Sequence, residues 1–223
     1  MDDLWSIIGG CALVALLAFI AVFARPKPPV PELATRLREE CGFSAHDVSS
    51  RARLTAALFE EAAQGNGTHL KLLVAAGADI NVQAGDERAT PLQVAVTKGN
   101  ADLVERLIEC KAAVNVPTAT GKTALHMAAM QADARMIRAL LAAGARHDFV
   151  DREGHYTALH LAAGYANPKD TDPVSLLIDA GANLDARDRA GATALDYAVA
   201  AKCVEVAAKL RAAGATTAIQ REC

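Results

Sequence analysis

Aromatic side chains make up only 4% of this chain, and Trp5 is its one tryptophan. So few rings give little platform for stacking bases, and a net charge of −3 with a pI near 6.1 removes the basic footprint that a phosphate backbone demands. Nucleic acid is therefore not an expected partner. Paired cysteines are missing too. Cys11, Cys41, Cys110, Cys203 and Cys223 are odd in number and contain no CxxC, which suits reduced thiols better than a disulfide framework. No Ser-centred elbow, phosphate-cradling Gly loop or HExxH occurs, and Gly121-Lys122-Thr123 imitates only the tail of a P-loop. The chain reads as a non-enzyme, with no cofactor, metal or small-molecule substrate expected.

What the chain has instead is repetition. Thr-Ala-Leu-His occurs at Thr123–His126 and again at Thr157–His160, with Thr90-Pro91-Leu92-Gln93 before them and Thr193-Ala194-Leu195-Asp196 after. The spacing is 33 to 36 residues. Aligning on the Leu places Leu58, Leu92, Leu125, Leu159 and Leu195 in register, and a second mark ending in Gly-Ala follows at Gly77, Gly144, Gly181 and Gly214. Repeat two breaks that mark with Lys111, where a left-handed turn favours Gly. After each tetrapeptide comes an Ala-rich run, such as Ala128-Ala129, whose small side chains let neighbouring helices approach closely. A second helix then begins at a capping residue, expected at Thr68, Asp133 and Asp172. Its apolar pairs, Leu72-Leu73, Leu107-Ile108, Leu140-Leu141 and Leu176-Leu177, are expected to face the next unit.

Period and marks together resemble the ankyrin repeat over roughly residues 51 to 216. That resemblance implies an all-α solenoid of helix pairs joined by short finger turns, here Gln83 to Arg88, Pro117 to Lys122, Asp151 to His155 and Arg187 to Gly191. It divides the chain into repeats at 51–83, 84–117, 118–150, 151–187 and 188–216, with a tail at 217–223. Repeat one is degenerate, with Glu61 where the others carry Ala95, Ala128, Ala162 and Ala198, as a polar end cap should be. Residues 32–50 hold a pre-repeat helix with Leu33, Leu37 and Cys41 on one face, expected to cover repeat one. The family also implies that Thr123, His126, Thr157 and His160 are hydrogen-bonded struts and not catalysts.

One long hydrophobic run stands apart. After a three-residue acidic tail at 1–3, residues 4–24 are uncharged, long enough at about 1.5 Å per residue to cross a hydrocarbon core of about 30 Å. Arg25, Lys27, Arg36 and Arg38 follow it. The expectation is a transmembrane helix, a Pro-rich linker at 25–31, and a single-pass membrane protein whose repeats face the cytoplasm, with a periplasmic or extracellular placement as the alternative. A small Ala-rich member of the family with such an anchor looks bacterial.

The expected function is a membrane-tethered adaptor or scaffold that binds another protein through its concave face and finger tips. The alternative is an immunity or accessory protein that neutralises or protects an enzyme. The candidate docking residues are Asp86, Glu87, Arg88, Lys122, Asp151, Arg152, Glu153, His155, Arg187, Asp188 and Arg189, with Tyr165 on a lengthened loop in repeat four. His147, Asp151, Glu153 and His155 share one finger, but spacing on a turn does not aim ligands at one point, so solvated turn charges are the plainer reading. If His126 is a strut, its replacement by Ala should lower unfolding free energy by about 1–3 kcal/mol in denaturant titration. An unchanged midpoint would contradict that role.

Overall fold

Thr90, Thr123, Thr157 and Thr193 each hold an extended backbone immediately before a seven-residue helix. A two-turn helix is too short to persist alone in water, so these segments depend on stacking. In the computed structural model, which describes residues 35–39, 42, 51–167 and 170–218, they stack in a row. The helices are α1 (Arg51–Gln64), α2 (Leu70–Ala75), α3 (Pro91–Thr97), α4 (Ala101–Glu109), α5 (Ala124–Met130), α6 (Ala134–Ala142), α7 (Ala158–Gly164), α8 (Asp172–Asp179), α9 (Ala194–Ala200) and α10 (Val204–Ala212). The first helices α1, α3, α5, α7 and α9 pack on one another in order, and each carries a second helix on its outer side. The described repeats are an all-α array.

Alanine sets the spacing of that array. Ala95, Ala128, Ala129, Ala162, Ala163 and Ala198 are completely buried where one first helix meets the next, alongside Leu92, Leu125, Leu159 and Leu195. Each second helix buries one member of its apolar pair, Leu73, Leu107, Leu140 or Leu177, and leaves the other partly covered. Residues 35–39 are helical and Leu37 is fully buried in the same core, whereas Leu33 and Cys41 lie outside the described residues.

The helix caps differ from the sequence reading at two of three places. Asp133 caps α6 by accepting from the Met136 amide at 2.9 Å. Thr68 does not cap α2. Its hydroxyl donates to Asn66, and Glu61 from the preceding helix accepts from the His69 amide and ring instead, at 3.2 and 2.6 Å. A carboxylate at a helix N-terminus is favourable, which gives Glu61 a use at a position where the other repeats carry Ala. Asp172 lies inside the first turn of α8, and Asp170 accepts from the Asp172 amide.

The membrane localisation expected above is corrected. No helix among the described residues is long and apolar enough to cross a membrane. The longest, α1, has 14 residues and spans about 21 Å at 1.5 Å per residue, short of a hydrocarbon core of about 30 Å. Its buried positions, Leu54, Leu58 and Ala62, form a single stripe turned into the stack. The run at 4–24 and the linker at 25–31 lie outside the described residues.

Lys111 adopts a left-handed backbone with φ +67°, and its amide bonds to Ile108 O while the Ala112 amide reaches Leu107 O. Gly144 and Ala145 make the same two bonds at the end of α6. Repeat two therefore keeps the turn and bears the Cβ strain within it. Lys111→Gly is expected to raise unfolding free energy by about 1 kcal/mol in urea titration. A neutral or destabilising result would show that the turn is not strained.

Candidate functional site

The side chain three residues after each helix-opening Thr connects one repeat to the next. In repeat three, His126 Nδ1 accepts from the Thr123 amide and hydroxyl at 3.2 and 2.9 Å. Because that nitrogen accepts an amide proton, the ring proton sits on Nε2, which points at the carbonyls of Phe149 and Tyr156, both at 3.1 Å. His160 repeats the arrangement with Thr157 behind it and Ala192 O in front. Gln93 does the same with different atoms: its Oε1 accepts from the Thr90 amide and its Nε2 donates to Val116 O and Lys122 O. Repeat five carries Asp196, which has no donor at all. There the Thr193 amide and the Ala218 amide both donate to one carboxylate oxygen.

Those struts position the fingers, and the fingers also bind one another. The Ala119 amide donates to Glu87 O, Arg152 to Thr120 O, and Arg189 to Gly154 O, at 2.8 to 2.9 Å. Side chains extend the ladder, with Arg152 reaching Ala119 O and Arg189 reaching Arg152 O. Finger positions are thus fixed relative to each other, which is what a preformed docking surface requires.

The candidate residues separate into two groups on this ladder. Asp86, Glu87, Arg88, Arg152, Glu153, His155, Arg187 and Arg189 are exposed, as is Tyr165 at 58%. Lys122 is half-buried and donates to Glu153 at 2.8 Å, and that bond holds its ammonium pKa above the usual lysine value. Asp151 and Asp188 turn inward, with 1% and 7% of their surface exposed. Asp151 Oδ1 accepts from the Gly154 and Tyr156 amides. Asp188 Oδ1 accepts from the Ala190 and Ala192 amides, and its Oδ2 from the Tyr197 hydroxyl at 2.6 Å. Burial works to raise the Asp188 pKa, but the hydroxyl and amides together hold it below the ordinary carboxylate value. Tyr197 is pushed upward, first by burial and then by that carboxylate.

Asp151 has no such hydroxyl, and its Oδ2 is buried without a protein donor. Leu161 holds the register of Tyr197, two residues after the aligned Leu. Tyr197 fits because its ring lies against Gly164, where even a Cβ would come within 3.3 Å. The corresponding residue one repeat earlier is Met130, too large to leave that space. With Asp151 inward and Glu153 on Lys122, the finger cluster does not converge on a point. No group of three metal-binding side chains occurs among the described residues.

Sequence reading missed the floor between the fingers. Thr97, Met127, Met130 and Gln131 line a groove of about 440 Å³, walled by Glu87, Thr120, Lys122 and Glu153 from three successive fingers. Met127 and Met130 lie two and five residues after Leu125, on the side of the first helix that the stack does not cover, and that offset was the available signal. A larger groove of about 830 Å³ runs along α1 beside Ala52, Ala56, Phe59, Ala63, Val82 and Ala84. Phe59 occupies the strut position of repeat one without a polar atom.

Burial holds the pKa values of His126 and His160 below the usual histidine value of about 6.5. Unfolded histidine therefore binds protons that the folded ring resists, so stability is full above about pH 7 and falls as the pH drops below about 6.5. Thermal melts are expected to show that loss between neutrality and the carboxylate range. The double variant His126→Gln/His160→Gln, which copies Gln93, should keep the struts and flatten the loss. An equally steep acid loss in the variant would place its origin elsewhere.

The family model described as "Ankyrin repeats (3 copies)" matches residues 58–151 and again 126–220. Human B-cell lymphoma 3 protein is 33% identical over 141 residues, covering 60% of this chain and 30% of that protein. The neurogenic locus notch homolog protein 1 of Xenopus tropicalis is 33% identical over 163 residues, 72% of this chain and 6% of its own length. Chicken inversin is 30% identical over 126 residues, 56% of this chain and 11% of its own length. The chain thus spans a third or less of these relatives, and the matches lend no support to the bacterial source expected above. Struts, alanine contacts, finger ladder and profile agree, and the chain belongs to the ankyrin-repeat family.

Proposed function

We propose that this chain is a protein-binding module that docks a partner in the groove between its fingers and first helices. The observation that carries this reading is the groove itself, with its two-methionine floor and polar walls from three fingers. Methionine adapts to irregular apolar surfaces, while the fixed walls supply orientation at little ordering cost. Family membership supports it, since ankyrin repeats imply a protein partner and are typically interaction modules without catalytic activity. We take the chain to be a non-enzyme for a further reason. His126 and His160, the side chains best suited to proton transfer, use both ring nitrogens to hold the stack.

Thr97 is exposed in the groove, and Arg138 is exposed on the second helix of repeat three, away from the groove. A partner that copurifies with the full chain should be lost from Thr97→Arg and kept by Arg138→Glu, with both variants melting as wild type does. Loss on the outer side and retention in the groove would contradict the assignment.

A further inference from the structure

The finger charges look mixed in sequence, but the folded protein uses most of the carboxylates internally. Asp188 is buried against Tyr197 and two amides, Asp151 is buried against two amides, and Glu153 is paired with Lys122. Arg152, Arg187 and Arg189 remain exposed; among the described residues none of the three forms a close ion pair, although, against burial, Arg187 lies near enough to Asp196 to help the Thr193 and Ala218 amides hold that carboxyl below its ordinary pKa. The Arg152 guanidinium uses one N–H on Ala119 O and the Arg189 guanidinium one on Arg152 O, leaving several donors on each. Finger two shows the opposite balance, with the exposed carboxylates of Asp86 and Glu87 outnumbering the single exposed guanidinium of Arg88, which bonds to Gln83. Among accessible side chains the row of fingers therefore runs from mostly acidic at finger two to mostly basic at fingers four and five, while the carboxylates of the latter face inward or onto Lys122.

Resting on the docking reading above, we propose that fingers four and five bind an acidic segment of the partner protein, its carboxylates held by Arg152 and Arg189 with Arg187 adding charge. Guanidinium forks match carboxylates in a bidentate way, and two forks on adjacent, mutually fixed fingers select a run of acidic residues over a single one. A nucleic-acid backbone carries phosphates without end and would meet Asp86 and Glu87 at the other end of the row. Between fingers four and five the Tyr197 ring is not open for base stacking, because it is wedged between Gly164 and the edge-on ring of Tyr156, 5.8 Å away. The polarity sets a direction as well. The partner's acidic segment lies toward repeat five and any basic flank toward repeat two.

The full chain can be titrated by fluorescence anisotropy with three labelled probes: a 12-residue Glu-rich peptide with a central Leu, its Lys-rich counterpart, and a 12-nucleotide single-stranded DNA. The Glu-rich peptide is expected to bind at least tenfold more tightly than either other probe. Arg152→Glu/Arg189→Glu should weaken it at least tenfold at an unchanged melting temperature, and Arg138→Glu should leave it intact. Where the double reversal lowers the melting temperature, Arg152→Gln/Arg189→Gln gives the same reading with a smaller, severalfold loss. Equal binding of the two peptides, DNA binding as tight as the Glu-rich peptide, or equal loss in Arg138→Glu would overturn the proposal. A natural partner lost from Thr97→Arg but kept by Arg152→Glu/Arg189→Glu would overturn it too, while leaving groove docking intact.

Discussion

The whole arrangement depends on satisfying backbone groups that stacking removes from water. Each finger brings carbonyls against the first helix of the repeat before it, and each helix-opening Thr brings an amide that has no intrahelical acceptor. A single side chain answers both by accepting behind and donating in front. His126, His160 and Gln93 can do so because each carries an acceptor and a donor at opposite ends of a planar group. Asp196 carries only acceptors, and it sits where the group in front is itself a donor, the Ala218 amide. In repeats two to five, residue identity at this one register thus follows from what faces it, and the recurring motif is a consequence of that local accounting.

From the same constraint comes the surface. Fixed fingers hold their charged residues at fixed places, and the inward turn of Asp151 and Asp188 takes two carboxylates out of direct reach at that surface. The groove below gains its apolar floor because the stack covers only one side of each first helix, leaving Met127 and Met130 half-exposed. The proposed docking face and the stacking face are therefore different faces of the same short helices. The finger tips lie apart from the alanine contacts that hold the row.

Much of the fold was legible because its signals are local and repeated. The aligned leucine recurs in all five units, and the helix-opening Thr with an alanine five residues later recurs in repeats two to five, so weak signals reinforce one another. The direction in which a finger carboxylate points was not legible. Asp188, Asp151 and Asp86 look alike in sequence, and what separates the two buried carboxylates from the exposed one is the pair of finger amides each accepts from, joined at Asp188 by the Tyr197 hydroxyl nine residues away. Capping of α2 by Glu61 was hidden for a related reason, since the bond joins two helices across eight residues instead of lying within one turn. The apolar run at 4–24 gave a strong signal of its own, but it lies outside the described residues, among which no helix is long and apolar enough to cross a membrane.

The claim that the fingers are rigid parts of the stack, and not surface loops, is most directly tested by native-state hydrogen exchange at the amides of Ala119, Arg152 and Arg189. Each donates to the preceding finger in this structure. Exchange slowed to nearly the rate of the buried helix amides around Leu125 and Leu159 would support the account, because those amides would open only with the stack. Exchange at the rate of an unprotected loop, with the helices still protected, would contradict it.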